Sequence, residues 1–187
     1  MFFPRAFEEI TRNKSLIIGR KTLLEGATQN FDHVAHCRKV VVVSQTLRND
    51  EMMTPNLSSS RAPSFLVASS LEEAIRLAQT NNDGSSETTV CRPADMTQPT
   101  RWFGIDCWIG GGEGIYTQAL KLPQAHFVHL TVMNIQVPVS AKTQCVARFP
   151  PHSSWQSNYR LVEQIKHLAC DPLSFVTNIY KRIPTVE

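Results

Sequence analysis

Apolar and polar positions change period several times along the first eighty residues, and each change marks an element. Phe3, Phe7 and Ile10 recur at helical spacing with Pro4 placed for a first helical turn, so residues 4–12 read as a short amphipathic helix. Leu16-Ile17-Ile18 then forms a short apolar strand that ends at Gly19. Residues 40–44, VVVVS, are continuous and β-branched without alternation. Such a run predicts a strand covered on both faces, and hence a parallel sheet between helices. Phe65–Ala68 repeats the short-strand pattern, and Ser70 with Glu73 forms a capping box ahead of Leu71, Ala74, Ile75 and Ala78 on one helical face.

From residue 80 the period is lost. Asn81, Asn82, Gly84, Ser85, Ser86, Pro93 and Pro99 give residues 80–106 the character of a polar insertion, a surface on which a protein partner can dock. Order returns at Cys107-Trp108-Ile109, a strand that runs into three glycines and then a helix through Leu120, stopping before Pro123. Phe127–Met133 is a further strand, and the extended segment Leu173–Tyr180 pairs with Ser157–Ile165 as a long hairpin. Strands and helices alternating over one short chain predict a single α/β domain spanning 1–187.

Composition narrows the function classes. With 187 residues, 42% hydrophobic and 19% charged, the chain can bury a core and is neither fibrous nor disordered. A net charge of +3, from scattered cations, excludes the footprint of a nucleic-acid binder and leaves a phosphorylated small molecule as a partner. No apolar run reaches membrane-spanning length, and Arg5, Glu8 and Glu9 interrupt any signal-peptide core, so no membrane partner is expected. The cysteines at 37, 91, 107, 145 and 170 contain no CxxC pair. They predict reduced thiols in an intracellular protein, cytoplasmic or organellar, rather than a disulfide framework or zinc site. His126 and His129 alternate to opposite strand faces, and His33, His36 and Cys37 read as loop and core, so no metal is expected. Trp102, Trp108 and Trp155 read as packing residues.

Three segments carry candidate chemistry. In Ile109-Gly110-Gly111-Gly112-Glu113-Gly114-Ile115-Tyr116, glycines at a strand end let a ligand approach the backbone, and the free N–H groups of the following helix attract a phosphate. Gly19-Arg20-Lys21-Thr22 puts two cations and a hydroxyl at a second strand-to-helix junction, with Thr22 placed to cap the helix. Arg38-Lys39 precedes the aliphatic strand that ends in Ser44-Gln45, and an arginine at the mouth of such a strand can clamp a carboxylate through two parallel bonds.

Together these segments resemble dihydrofolate reductase. GRKT follows a short apolar strand, Arg-Lys precedes an aliphatic strand ending in Ser, and SLEEA opens a helix. IGGGEGIY, LT within a strand, Phe149-Pro150 and Trp155 before the final hairpin complete an ordered set over almost the whole chain. The resemblance implies a three-layer α/β fold, with a mostly parallel central sheet flanked by helices and an antiparallel C-terminal hairpin. It implies NADPH as cofactor, with dihydrofolate or a related pterin as substrate and antifolates as inhibitors. Gly19, Arg20, Lys21, Thr22, Ser44 and Gln45 match cofactor-binding positions, as do Gly110, Gly111, Gly112, Glu113 and Tyr116. Arg38 matches the arginine on the substrate's α-carboxylate, Phe7 the aromatic on its rings, Ile109 a residue facing pterin and nicotinamide, and Thr131 the threonine that reaches the pterin through water.

Two departures accompany the match. The family's first strand and the loop over the nicotinamide have no counterpart ahead of Pro4, and in the family that strand lies inside the sheet. The family's acidic residue falls at Phe3, which can neither hydrogen-bond a pterin nor pass on a proton. No catalytic residue is therefore assigned. The sequence supports reduction of 7,8-dihydrofolate to tetrahydrofolate, with a non-catalytic subunit or scaffold, or a truncated product, as the alternative. A reductase of another pterin or of a ribosylated pyrimidine is a third reading, against which the Arg38 match argues.

Overall fold

The computed structural model describes residues 3–27, 34–48, 63–80, 105, 107–133, 148–167 and 175–184. Nearly all of the 80–106 insertion lies outside them, as do His33, Trp102 and the cysteines at 91, 145 and 170. The chain is α/β and divides into two compact units, Met1–Ile115 and Tyr116–Glu187.

The first unit holds α1 (Phe3–Thr11), β1 (Ser15–Gly19), α2 (Arg20–Ala27), β2 (Lys39–Val43), β3 (Ser64–Ala68), α3 (Leu71–Gln79) and β4 (Cys107–Gly111). Its four strands form one parallel sheet in the order β3-β2-β1-β4. The two inner strands are buried over four successive residues each, which is why their sequences run apolar without alternation. Leu16, Ile18, Val40 and Val42 face Leu23 of α2 and Phe7 of α1, with Val34 and Cys37 closing the same cluster. Residues of the other parity meet α3. Ser15 Oγ donates to Ala78 O at 2.8 Å, and the buried Lys39 amine donates to Leu77 O at 2.8 Å and Thr80 O at 2.5 Å. Lys39 thus caps carbonyls at the C-terminal end of α3, where a cation is favoured.

Capping at the front of α3 differs from the expected box in one bond. Ser70 Oγ accepts from Glu73 N at 3.2 Å, as a cap should, but the Glu73 carboxylate reaches back to Ser69, accepting from its N at 2.8 Å and its Oγ at 2.6 Å. These bonds, the hydroxyl first, hold the Glu73 carboxyl below its usual range.

The second unit contains β5 (Phe127–Met133), β6 (Tyr159–His167) and β7 (Phe175–Arg182), antiparallel in the order β5-β7-β6. The hairpin starts two residues later than its sequence predicts, because a 3₁₀ turn following Trp155 takes residues 156–158. β5 also departs from the expected single central sheet: it pairs antiparallel with β7 in a separate sheet. One face of this sheet is an aromatic core. Trp155, 1% exposed, packs with Val128, Tyr159, Leu120, Phe149 and Tyr180. Arg182 closes that end, donating to Leu120 O at 2.8 Å, Ala125 O at 3.1 Å and the Tyr159 hydroxyl at 2.8 Å. A seven-residue helix, α4 (Glu113–Ala119), spans the boundary between the units.

Candidate functional site

Parallel strands present all their C-terminal ends at one edge, and three of the candidate segments leave the sheet there. β1 passes directly into α2, β4 turns into α4, and β2 runs out into Ser44-Gln45. β1 and β4 are neighbours, so their turns touch. A Cβ placed on Gly19 would lie 3.5 Å from Gly112 N and 3.7 Å from Gly111 O, and one on Gly112 would lie 3.2 Å from Thr22 Oγ1.

The glycines serve different ends. Gly111 has φ 112°, a conformation that L side chains rarely adopt, and its peptide bond to Gly112 is cis. Gly110 answers to the core instead: a Cβ there would meet Leu16 Cδ1 at 3.0 Å and Ile18 Cγ2 at 3.2 Å, so packing alone accounts for it.

Charge distinguishes the two helix starts. α2 opens on the exposed cations Arg20 and Lys21, with no acid in its first turn, whereas Glu113 stands exposed at the start of α4. Free N–H groups and two cations make the α2 end attractive to an anion, while the Glu113 carboxylate already complements its own helix. Arg20 also donates to Thr46 Oγ1 at 2.9 Å, which ties the α2 turn to the loop after β2. That loop is closed by Ser44 Oγ, which accepts from Thr46 N at 3.3 Å and Leu47 N at 3.0 Å. Gln45 is exposed beside it, as is Arg48. Thr22 does not cap α2, because the helix already begins at Arg20 and Thr22 lies within its first turn, its hydroxyl beside Gly112.

The remaining candidates lie elsewhere. Arg38 immediately precedes β2, at the opposite edge of the sheet and about 20 Å from Ser44 along an extended strand. It is exposed, and its Nη2 donates to Ser15 Oγ at 3.3 Å. Phe7 is half-buried on α1, edge-on to His36 with centroids 6.1 Å apart. Ile109 pairs with Ile17, on the sheet face away from the cluster that holds Phe7 and Trp108. Phe3 opens α1. In the second unit, Tyr116 packs on Phe149 at 5.0 Å, and burial raises its phenol. Thr131 lies on β5 with its Oγ1 3.0 Å from Thr177 Oγ1.

Thr46 and Thr177 are partners that sequence reading missed. Alternation along β5 and β7 would have put Thr177 on one face with Thr131 only if the strand register were known. Among the described residues, no group of three or more His, Cys, Asp or Glu could hold a metal ion, and no helix is long and apolar enough to cross a membrane. Fold and site together define an α/β protein with a parallel sheet whose C-terminal edge carries an anion-attracting turn. No family model matches the chain, and no curated protein matches it either.

Proposed function

We propose that the protein is an NADPH-dependent reductase of 7,8-dihydrofolate, with a dihydrofolate-reductase-like fold. The observation that carries this reading is the meeting of the Gly19–Thr22 and Gly111–Gly112 turns on adjacent parallel strands. The sequence resemblance gives both turns to one dinucleotide. A cradle of backbone groups with two cations beside it fits a pyrophosphate, and the crevice outside the carboxyl ends of parallel strands is where such ligands bind. Arg20 and Lys21 would hold the phosphates, Ser44 and Gln45 the adenosine end, and the glycine turn with Glu113 and Tyr116 the remainder.

NADPH, when bound, supplies the hydride that goes to C6 of the pterin. For the substrate, the resemblance gives the α-carboxylate to Arg38 and contacts with the pterin to Phe7, Ile109 and Thr131, although Phe7 and Ile109 lie on opposite faces of the parallel sheet and only one of them can border the rings. The proton for N5 comes from solvent, since Phe3 occupies the position of the family's acid and carries none. That same phenylalanine favours a second reading, a non-catalytic module that retains the nucleotide cleft. Under it, Phe3→Asp yields no turnover.

The deciding assay follows NADPH oxidation with and without dihydrofolate and with an added antifolate, beside thermal unfolding with NADPH alone. Antifolate-sensitive oxidation is the expected result. A stabilising response to NADPH without turnover supports the non-catalytic reading, and the absence of both overturns the cofactor assignment.

A further inference from the structure

On the sheet face opposite the aromatic core, three polar side chains of the second unit form a chain across the strands. Thr177 is buried on the central strand, β7, directly opposite Thr131 of β5 and diagonal to His167 of β6. Its Oγ1 lies 3.0 Å from Thr131 Oγ1 and 3.1 Å from His167 Nε2. The imidazole is held flat against Phe175, rings 4.4 Å apart and 15° from parallel, which fixes the direction of Nε2.

Each hydroxyl has one proton to donate, so the chain can run in one of two directions. A protonated imidazole must donate from Nε2, so Thr177 accepts from it and gives its own proton to Thr131. Thr131 then keeps its own hydroxyl proton to donate elsewhere. When the imidazole gives up its Nε2 proton and keeps the one on Nδ1, every bond reverses: Thr177 donates to Nε2, Thr131 donates to Thr177, and Thr131 presents only lone pairs; loss of the Nδ1 proton instead leaves the first direction in place.

We infer that His167, acting through Thr177, sets whether Thr131 donates or accepts a hydrogen bond at its free side. Thr177 and His167 are then positioning residues for the ligand contact of Thr131, an extension that rests on the proposed pterin-binding role of that threonine. Charged and titratable neighbours on this sheet face, among the described residues, are Glu163 and Arg160 on β6, Lys181 on β7 and His129 on β5. None of them bonds the Thr177 hydroxyl, whose partners among the described residues are His167 and Thr131.

The relay is testable without any ligand, by NMR of the full chain across the range of roughly pH 5 to 8 in which imidazoles titrate. The Thr131 Cβ and methyl signals are expected to move with the midpoint of the His167 ring signals, not with that of His129. Thr177→Val should abolish the movement while His167 still titrates, and Thr177→Ser should restore it. A Thr131 signal that ignores His167 in the unaltered protein, or that still follows it in Thr177→Val, overturns the relay. The ligand contact is read separately. KM for dihydrofolate should change about threefold to tenfold across the same midpoint, the range of one hydrogen bond, while KM for NADPH stays level. A level KM for dihydrofolate with an intact NMR response overturns the role of the relay in binding and leaves the relay itself standing.

Discussion

Cys37 shows how one residue can make stability depend on pH. It is buried beside Thr11 and His36, with Sγ 3.7 Å from His36 Nε2, and burial pushes its thiol from 9.0 up to about 11. In the unfolded chain the thiol ionises near its ordinary value, whereas the folded chain keeps the proton, so unfolding releases a proton between these limits. Stability should therefore fall as pH rises from 9 to 11, by at most about 2–3 kcal/mol, and level off above. Urea unfolding at pH 8 and pH 11 checks this, and Cys37→Ala should lose that part of the slope. Arg38 bears on binding rather than stability. It is exposed and bonds only weakly to Ser15, so Arg38→Leu should leave the thermal midpoint nearly unchanged. Its expected effect is to weaken dihydrofolate binding at least tenfold with little change for NADPH, measured by fluorescence titration. Equal loss of both ligands would remove Arg38 from the substrate site.

The elements themselves were largely legible. Amphipathic spacing located α1 and α3, continuous β-branched residues marked β2 as covered on both faces, and β5 begins and ends where its apolar run does. Pairing was less legible, because apolar runs carry no information on which edge they join. Nothing in Phe127–Met133 tells that its partner is β7 in a separate sheet. At the candidate site, the glycine and cation turns stood out by their residue types, but the core role of Gly110 appears only once Leu16 and Ile18 lie beneath it. That distinction predicts opposite results on one short segment. Gly110→Ala should cost about 1–3 kcal/mol by overpacking. Gly114→Ala, in a helix and with nothing within 4 Å of the new methyl, should stabilise by about 0.5–1 kcal/mol. Chemical denaturation of the two variants checks the sign. Lys39→Met removes a donor shared by two carbonyls at the end of α3, of which Leu77 O keeps the Thr80 hydroxyl, and should cost about 1–3 kcal/mol in the same measurement.

At the scale of the whole molecule, the two units ask different things of the chain that builds them. In the second, β6 and β7 are consecutive and close on each other as a hairpin. In the first, β1 lies between β2 and β4, and Ser15 pairs with Cys107. Long-range pairing of this kind slows folding, so refolding from urea is expected in the millisecond-to-second range, with the hairpin protected from hydrogen exchange before β4. During synthesis the consequence is one of timing. When β1, β2 and β3 have left the ribosome, one side of β1 still lacks its strand, and it stays uncovered while α3 and the polar stretch ahead of β4 are translated. At roughly 5–20 residues per second, that leaves an apolar strand edge open for a few seconds in every nascent chain. Insertions ahead of β4 that lengthen this interval should lower the yield of folded protein in the cell before they alter the stability of the finished molecule.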